Sequence, residues 1–518
     1  MIINPILRGF CPDPSIIKAN GRYYIATSTF EWWPGVRLFE STDLKNWKQT
    51  VSPLRRRSQL DLLGAPASGG VWAPCLSYDG ERFFLVYTDV KTKKGRFYNT
   101  NNYVVWTKDI YDDWSDPLYL NSIGFDPSLF HDTDGRKYLV NMINGFKGIT
   151  VQEVDRESLV PIGQRRKVYS GSGIGCLEGP HIYHIGDYYY LIAAEGGTGY
   201  DHCVSMARAD NVYGPYETCP DNPFLTSDPE SHIKKCGHAD IVQADNGKWY
   251  LVHLCARPVE EIKGCPLGRE TALQEIELKS DGYFVPKGGS RYCLDKVEEP
   301  SGLGGSERRE ELPGDPGDFY DDFTKAVIDV RYSVPRHDYS DFAYIDTLKH
   351  RLVLRGDESM NSCFRVSLMA VRQQEIMCTA VTRMYFNPVC YQQLAGLAYM
   401  YDNLNWYIIG KTVNEDGENV LVILKSDKGD ITDMIEPVKL PDREDVELKI
   451  RTDGSRIFFE YDAGDGWVQP DAEGTAAILT DEYCRGFTGA HFGLYVHDML
   501  DKSIRAEYDF FRVITNRF

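Results

Sequence analysis

Residues 13–26 read DPSIIKANGRYYIA: an acidic residue and a proline, a short apolar run, an Asn-Gly turn and an aromatic strand. Strand, Gly turn and strand in that order predict a β-hairpin. The pattern recurs as WAPCLSYDGERFFLVYT from Trp72, DPSLFHDTDGRKYLV from Asp126, EGPHIYHIGDYYYLIA from Glu178 and HADIVQADNGKWYLVHL from His238. The turn glycines Gly21, Gly80, Gly135, Gly186 and Gly247 are 59, 55, 51 and 61 residues apart, and each is followed three positions later by an aromatic, at Tyr24, Phe83, Tyr138, Tyr189 and Tyr250. Each copy has room for about four strands, and no helical periodicity fills the space between copies, which is the signature of propeller blades around an axis. Five copies predict an all-β, five-bladed β-propeller over residues 1–295. STDLKNW ending at Trp47, TKDIYDDW ending at Trp114 and ARADNVYGPY ending at Tyr216 recur as outer-strand signals.

Beyond this array, EEPSGLGGSERREELPGDPGD carries Gly, Pro and charge without periodicity, and residues 296–319 read as a linker. From FYDDF at Phe319 onward, short alternating or apolar runs such as IMCTAVTRMYF, QLAGLAYMY, WYIIGKTV and RIFFEYD are broken by turn residues. They predict a β-sandwich over 320–518. The length of 518 residues already exceeds one ordinary core.

The net charge of −19 disfavours phosphate backbones and anionic lipid, so neither a nucleic-acid nor a membrane partner is expected. The start, MIINPILRGFCPDPS, lacks a charged segment leading into an apolar one, and thirteen cysteines occur without a Cys-x-x-Cys pair. These features lead to the expectation of a cytoplasmic protein with reduced, largely buried thiols. Gly171-Ser172-Gly173-Ile174-Gly175 resembles a nucleotide loop only superficially, because Cys176 replaces the required glycine and no helix pattern follows.

In a propeller the innermost strands converge on the axis, so equivalent blade starts meet although far apart in sequence. Read by motif, those starts carry Asp13, Trp72, Asp126, Glu178 and His238, with Asp240 two residues on. Each carboxylate taken alone is compatible with turn chemistry, since Asp-Pro starts turns readily. Three in one confined place repel one another, which raises at least one pKa and supplies both a proton donor and a proton acceptor. Glycosidic hydrolysis uses such a pair: one acid protonates the departing oxygen while a carboxylate activates water or attacks the sugar. Blades one and four are not neighbours in a ring of five, so Asp13 and Glu178 face each other across the axis, an arrangement that favours inversion. The residues alone do not say which aspartate handles the water.

NPILRGFCPDPSI, GVWAPCLSYDG, GFDPSLFHD, CLEGPHIYHIGDYYYLIAAEGGT, CGHADIVQ and LGRETALQ together resemble glycoside hydrolase family 43, in its two-domain β-xylosidase branch. The resemblance spans the propeller and continues through the sandwich. It implies an inverting enzyme with Asp13 as general base, Asp126 as the group that tunes and orients the acid, and Glu178 as general acid. It also implies that Arg269 reaches the sugar hydroxyls and the tuning aspartate, that Phe30 and Trp72 pack on the sugar, and that Phe487 enters the pocket from the sandwich and enforces exo cleavage. The bland alternatives are a surface-turn arginine and core aromatics. His238 fits a structural, supporting or metal-ligating role. Asp509, in EYDFFRV, resembles a calcium-contacting position of some members, and equally suits plain surface exposure. No cofactor is needed for the chemistry, a structural calcium near Asp509 being the one metal considered.

The implied activity is release of xylose from the nonreducing ends of β-1,4-xylooligosaccharides, with α-L-arabinofuranosidase as a side activity or the main one. A sugar-binding protein without catalysis is a third reading, disfavoured by the full set of carboxylates. The substrate partner is accordingly a xylooligosaccharide or an arabinosyl compound, and a homo-oligomer is compatible with the sequence. Cys75 departs from the branch pattern, in which an acidic residue is frequent at that place, and Glu31-Trp32-Trp33 departs from a phenylalanine-containing stretch.

Overall fold

The computed structural model describes residues 1–92, 97–303 and 318–515. Its first part is five antiparallel sheets, each led by a strand next to the axis. The inner strands are Ser15–Ala19, Gly70–Tyr78, Ser128–His131, Glu178–Ile185 and Lys234–Gln243. Each touches the next, and the fifth touches the first, so the ring is closed. The hairpins read from the sequence form its inner pairs, for example Ser15–Ala19 with Arg22–Thr27. All five turn glycines have positive φ, from 62° to 98°, a backbone that a Cβ would strain. Of the five repeated aromatics, Tyr24, Phe83, Tyr138 and Tyr250 are buried between blades, and Tyr189 is half-buried, stacked 4.2 Å from His184. Trp47, Trp114 and Tyr216 lie shortly before the outer strands Lys48–Gln49, Leu118–Asn121 and Glu217–Thr218.

The chain start is pinned to blade five. Ile2–Ile3 pairs with Lys296–Val297, and the Asn4 amide donates to the carbonyls of Leu273 and Leu294 at 2.9 and 2.8 Å. The Cys11 N–H then donates to the Arg269 carbonyl at 2.9 Å. This course carries Asp13 to the axis beside Arg269. Of the linker expected over 296–319, residues 304–317 lie outside the described residues, while Lys296–Val297 is a strand edge rather than loose chain.

The second part is two facing antiparallel sheets. In one, Met377–Tyr385 and Asp445–Asp453 alternate buried and half-buried positions, as a sheet with one covered face should. In the other, Gln393–Asp402 and Asn405–Val413 are buried throughout. The reason is a second cover. Leu394, Ala398, Met400, Trp406, Ile408 and Tyr495 pack in one apolar cluster with Phe10, Phe30 and Trp32 of the propeller. That sheet is therefore sandwiched between its partner sheet and blade one. Val334–Pro335 pairs directly with Trp32–Trp33, and the Trp32 ring stacks on His491 at 3.9 Å.

Candidate active site

A cavity of about 470 Å³ opens at the end of the propeller axis that the sandwich overhangs, within the ~300–1,000 Å³ usual for small-molecule sites. Asp13, Phe30, Trp72, Asp126, Glu178, His238, Arg269 and Phe487 all line it. The backbone explains how separate blades reach one point. Asp13, Ala73, Asp126, Gly179 and His238 have φ of 54°, 30°, 50°, 55° and 45°, one left-handed residue at the mouth of every inner strand. This five-fold kink also corrects the register read by motif. Trp72 and Glu178 stand one residue before the repeated position, which Ala73 and Gly179 occupy. β-Bulges immediately after Trp72 and Glu178 take up the offset.

Asp13 is 5% exposed, and both its oxygens are engaged. Oδ2 accepts from the Ser28 hydroxyl at 2.7 Å, and Oδ1 accepts from Arg269 Nη1 at 3.0 Å. Burial opposes ionisation of Asp13, but Arg269, then His238, then the Ser28 hydrogen bond outweigh it and keep the carboxyl below its usual range. Asp126 accepts one hydrogen bond, from the Gly179 N–H at 3.0 Å. Burial, the neighbouring Glu178 and Asp13 push its pKa well up. Glu178 accepts no hydrogen bond from any described residue, and burial followed by repulsion from Asp13 raises it to about 7. The site thus holds one carboxylate ionised and keeps a proton on the other pair near neutrality.

Arg269 is also a strut. Its Nη1 donates to Thr198 Oγ1 and its Nη2 to the Phe487 carbonyl, both at 3.0 Å, and the guanidinium lies 5.4 and 5.3 Å from the Phe30 and Phe487 ring centres. His238 sits with Nδ1 3.9 Å from Asp13 Oδ1 and its ring against Gly179, where a Cβ would come within 3.0 Å. Burial lowers its pKa to about 4, so the imidazole is neutral at pH 7. Among the described residues no cluster of His, Cys, Asp and Glu suits a metal ion.

The rings form a box: Phe30 lies 6.1 Å from Trp72 and 6.0 Å from Phe487, and Trp72 is 5.3 Å from Phe125 and 5.7 Å from Phe487. Such a lining packs on the apolar face of a sugar while polar groups meet its hydroxyls. Phe487 arrives on a sandwich loop after the short helix Asp481–Cys484 and the left-handed Arg485. Lys235 of blade five fixes that loop through Asp481 at 3.3 Å and Glu482 at 2.8 Å. Gly268, next to Arg269, has φ +70° and passes so close that a Cβ would lie 1.9 Å from the Thr488 carbonyl. The Phe487 N–H donates to Ser68 Oγ at 2.9 Å.

Sequence reasoning missed Phe125, Thr198, Arg485, Tyr98 and the Asn144-Gly145-Phe146 turn, all of which line the cavity. Phe125 and Thr198 lie within the quoted motifs GFDPSLFHD and CLEGPHIYHIGDYYYLIAAEGGT; the others sit in loops with no repeat to flag them. Asp509 does not fit a calcium ion. Its Oδ1 accepts from Arg351 Nε at 2.8 Å, its Oδ2 accepts from the Tyr385 hydroxyl at 3.0 Å, and Arg383 stands 3.6 Å away. Two guanidinium charges already occupy the place a cation would take.

Residues 2–284 match the model of glycosyl hydrolases family 43, and residues 320–514 match that of the beta xylosidase C-terminal concanavalin A-like domain. The chain belongs to glycosyl hydrolase family 43, in its two-domain β-xylosidase/arabinosidase branch. It is 40% identical over 539 residues to Xylosidase/arabinosidase 43B of Humicola insolens, covering 98% of this chain and 96% of that one. A Beta-xylosidase of Bacillus subtilis is 39% identical over 535 residues, with 99% of each chain covered. The solved structure of xylan beta-1,4-xylosidase from Bacillus halodurans superposes with a TM-score of 0.94 at 39% identity, covering 99% of this chain and 100% of that one.

Proposed function

We propose that this family 43 hydrolase is an inverting, exo-acting β-1,4-xylosidase that releases xylose from the nonreducing ends of xylooligosaccharides and carries α-L-arabinofuranosidase side activity. The observation that carries this reading is the meeting of Asp13, Asp126 and Glu178 in one ring-lined cavity, with Arg269 bonded to Asp13. In the proposed reaction Asp13, ionised beside Arg269, takes a proton from water as that water attacks the anomeric carbon. Glu178 gives its proton to the departing oxygen as the glycosidic bond breaks. Burial and repulsion from Asp13 keep that proton on Glu178, and Asp126, held beside it by the Gly179 N–H, tunes and orients the acid. Phe487 closes one side of the pocket, so a single terminal residue enters.

The name of the Humicola relative favours a dual pentose specificity, and makes arabinofuranosidase as the principal activity the second reading. Matched aryl β-xylopyranoside and α-L-arabinofuranoside substrates decide between them: a preference of more than about tenfold in kcat/KM, about 1.4 kcal/mol at the transition state, identifies the principal sugar. Exo action is tested by the early products of xylohexaose. Xylose and xylopentaose are expected first, and an initial burst of internal fragments would sink the closed-pocket reading.

A further inference from the structure

Two cysteines that do not line the cavity stand in an unusual relation. Cys236 belongs to Lys234–Gln243, the inner strand of blade five, and Cys293 to the segment that leaves blade five after Phe284–Pro286. They are 57 residues apart in the chain, yet their sulfurs lie 2.8 Å apart. That is inside van der Waals contact for two sulfur atoms and somewhat longer than the ~2.05 Å of a disulfide bond. Both are sealed in an apolar cluster, at 0% and 3% exposure.

Both backbones are anchored to one edge. The Cys236 N–H donates to Ser227 Oγ at 3.0 Å, and the Cys293 N–H donates to the Thr226 carbonyl at 3.0 Å. Thr226 in turn donates to the Arg291 carbonyl at 2.9 Å. The side chains are thus presented to each other by hydrogen-bonded main chain, and joining them needs little backbone movement.

We propose that Cys236 and Cys293 are a modification site: a dithiol that a small-molecule disulfide such as oxidised glutathione converts to a structural disulfide. In the first step the thiolate of one cysteine attacks a sulfur of the oxidant, forming a mixed disulfide and releasing one glutathione thiolate. The second cysteine, as thiolate, then attacks the protein sulfur of that mixed disulfide and releases the second glutathione. Two protein thiols lose two hydrogens, one S–S bond forms in the protein, and the S–S bond of the oxidant is reduced to two thiols. Burial, then the adjacent Cys293 sulfur, pushes the Cys236 thiol well above its usual pKa. The exchange therefore belongs to the folding chain, before blade five closes over the pair, and the finished bond is shielded from reductants.

The bond would close a 57-residue loop and remove that freedom from the unfolded chain. It would also staple the strand that carries Lys235 to the sandwich and His238 to Asp13. Cys255, in the same apolar cluster, is the competing partner.

The test is refolding of the full chain in a mixture of oxidised and reduced glutathione, and separately in dithiothreitol, followed by denaturation, thiol alkylation and peptide mass mapping. The oxidised sample should show eleven alkylated cysteines of the thirteen and a cross-linked peptide joining Cys236 to Cys293. Its Tm should exceed that of the reduced sample by about 5 °C. Cys255→Ser should keep both effects, Cys236→Ala/Cys293→Ala should abolish both, and kcat/KM should agree within about twofold between redox forms. Thirteen alkylated cysteines after oxidative refolding, a cross-link through Cys255, or a Tm difference that persists in the double variant would overturn the proposal.

Discussion

The two ends of the propeller's inner strands hold the same kinds of residue and treat them oppositely. On strand Lys234–Gln243, Asp240 is 4% exposed and fully supplied: it accepts from Ser15 Oγ at 3.0 Å, from the Ile16 and Ile241 N–H groups at 2.8 Å each, and from the Tyr183 hydroxyl. At the mouth, Asp126 has a single N–H donor and Glu178 none among the described residues. A saturated carboxylate is a brace between blades, whereas one denied donors keeps its proton and stays available to a substrate. What separates Asp126 and Glu178 from Asp240 is the hydrogen bonds withheld, not the residue type.

The contrast is broken most severely at the mouth. Asp13→Ala should lose about 10⁴-fold in kcat on every substrate, because no leaving group replaces the base. Glu178→Ala should lose about 10³-fold on xylobiose and recover to within about tenfold of the parent on a dinitrophenyl xyloside. Equal losses of both variants on both substrates would remove the separate roles.

Next in size is Arg269→Met, expected to lower kcat/KM about 100-fold and to move the pH profile. In the parent, activity should fall as pH rises through about 7, as Glu178 gives up its proton, and should fall again in acid as Asp13 gains one. Arg269 lowers the pKa of both groups, so removing it should shift both limbs to higher pH. An unmoved acidic limb would show that another group keeps Asp13 charged.

Phe487→Ala should cost about tenfold in kcat/KM and admit internal cleavage of xylohexaose, measured by product chromatography. The mildest effect on turnover belongs to the far end. Asp240→Ala should leave kcat/KM within about threefold while lowering stability by about 1–3 kcal/mol in denaturant unfolding, because several buried donors lose their acceptor. A large loss of turnover from this substitution would erase the distinction between the two ends.

The blades were legible because their turn glycines and following aromatics obey rules local to the hairpin, which recur with every copy. Asp13, Asp126 and Glu178 could be singled out because they sit beside those rules. The one-residue offset of Trp72 and Glu178 could not, since bulges are settled by packing against the neighbouring strand rather than by the motif. Arg485 and the Phe146 turn reach the cavity through loop geometry, which has no periodicity to betray it. Asp509 misled for a similar reason: its neighbours Arg351, Tyr385 and Arg383 lie on other strands, and a carboxylate read without them looks free to bind a cation.

The division of labour between Asp13 and Glu178 is tested most directly by proton NMR of the xylose released from an aryl β-D-xylopyranoside, whose leaving group is not a sugar, recorded before mutarotation. Attack by a water held at Asp13, opposite the acid, predicts that the α-anomer of xylose accumulates first and decays toward equilibrium. Initial appearance of the β-anomer would mean a second displacement at the same carbon, and would contradict the assignment of Asp13 as a base.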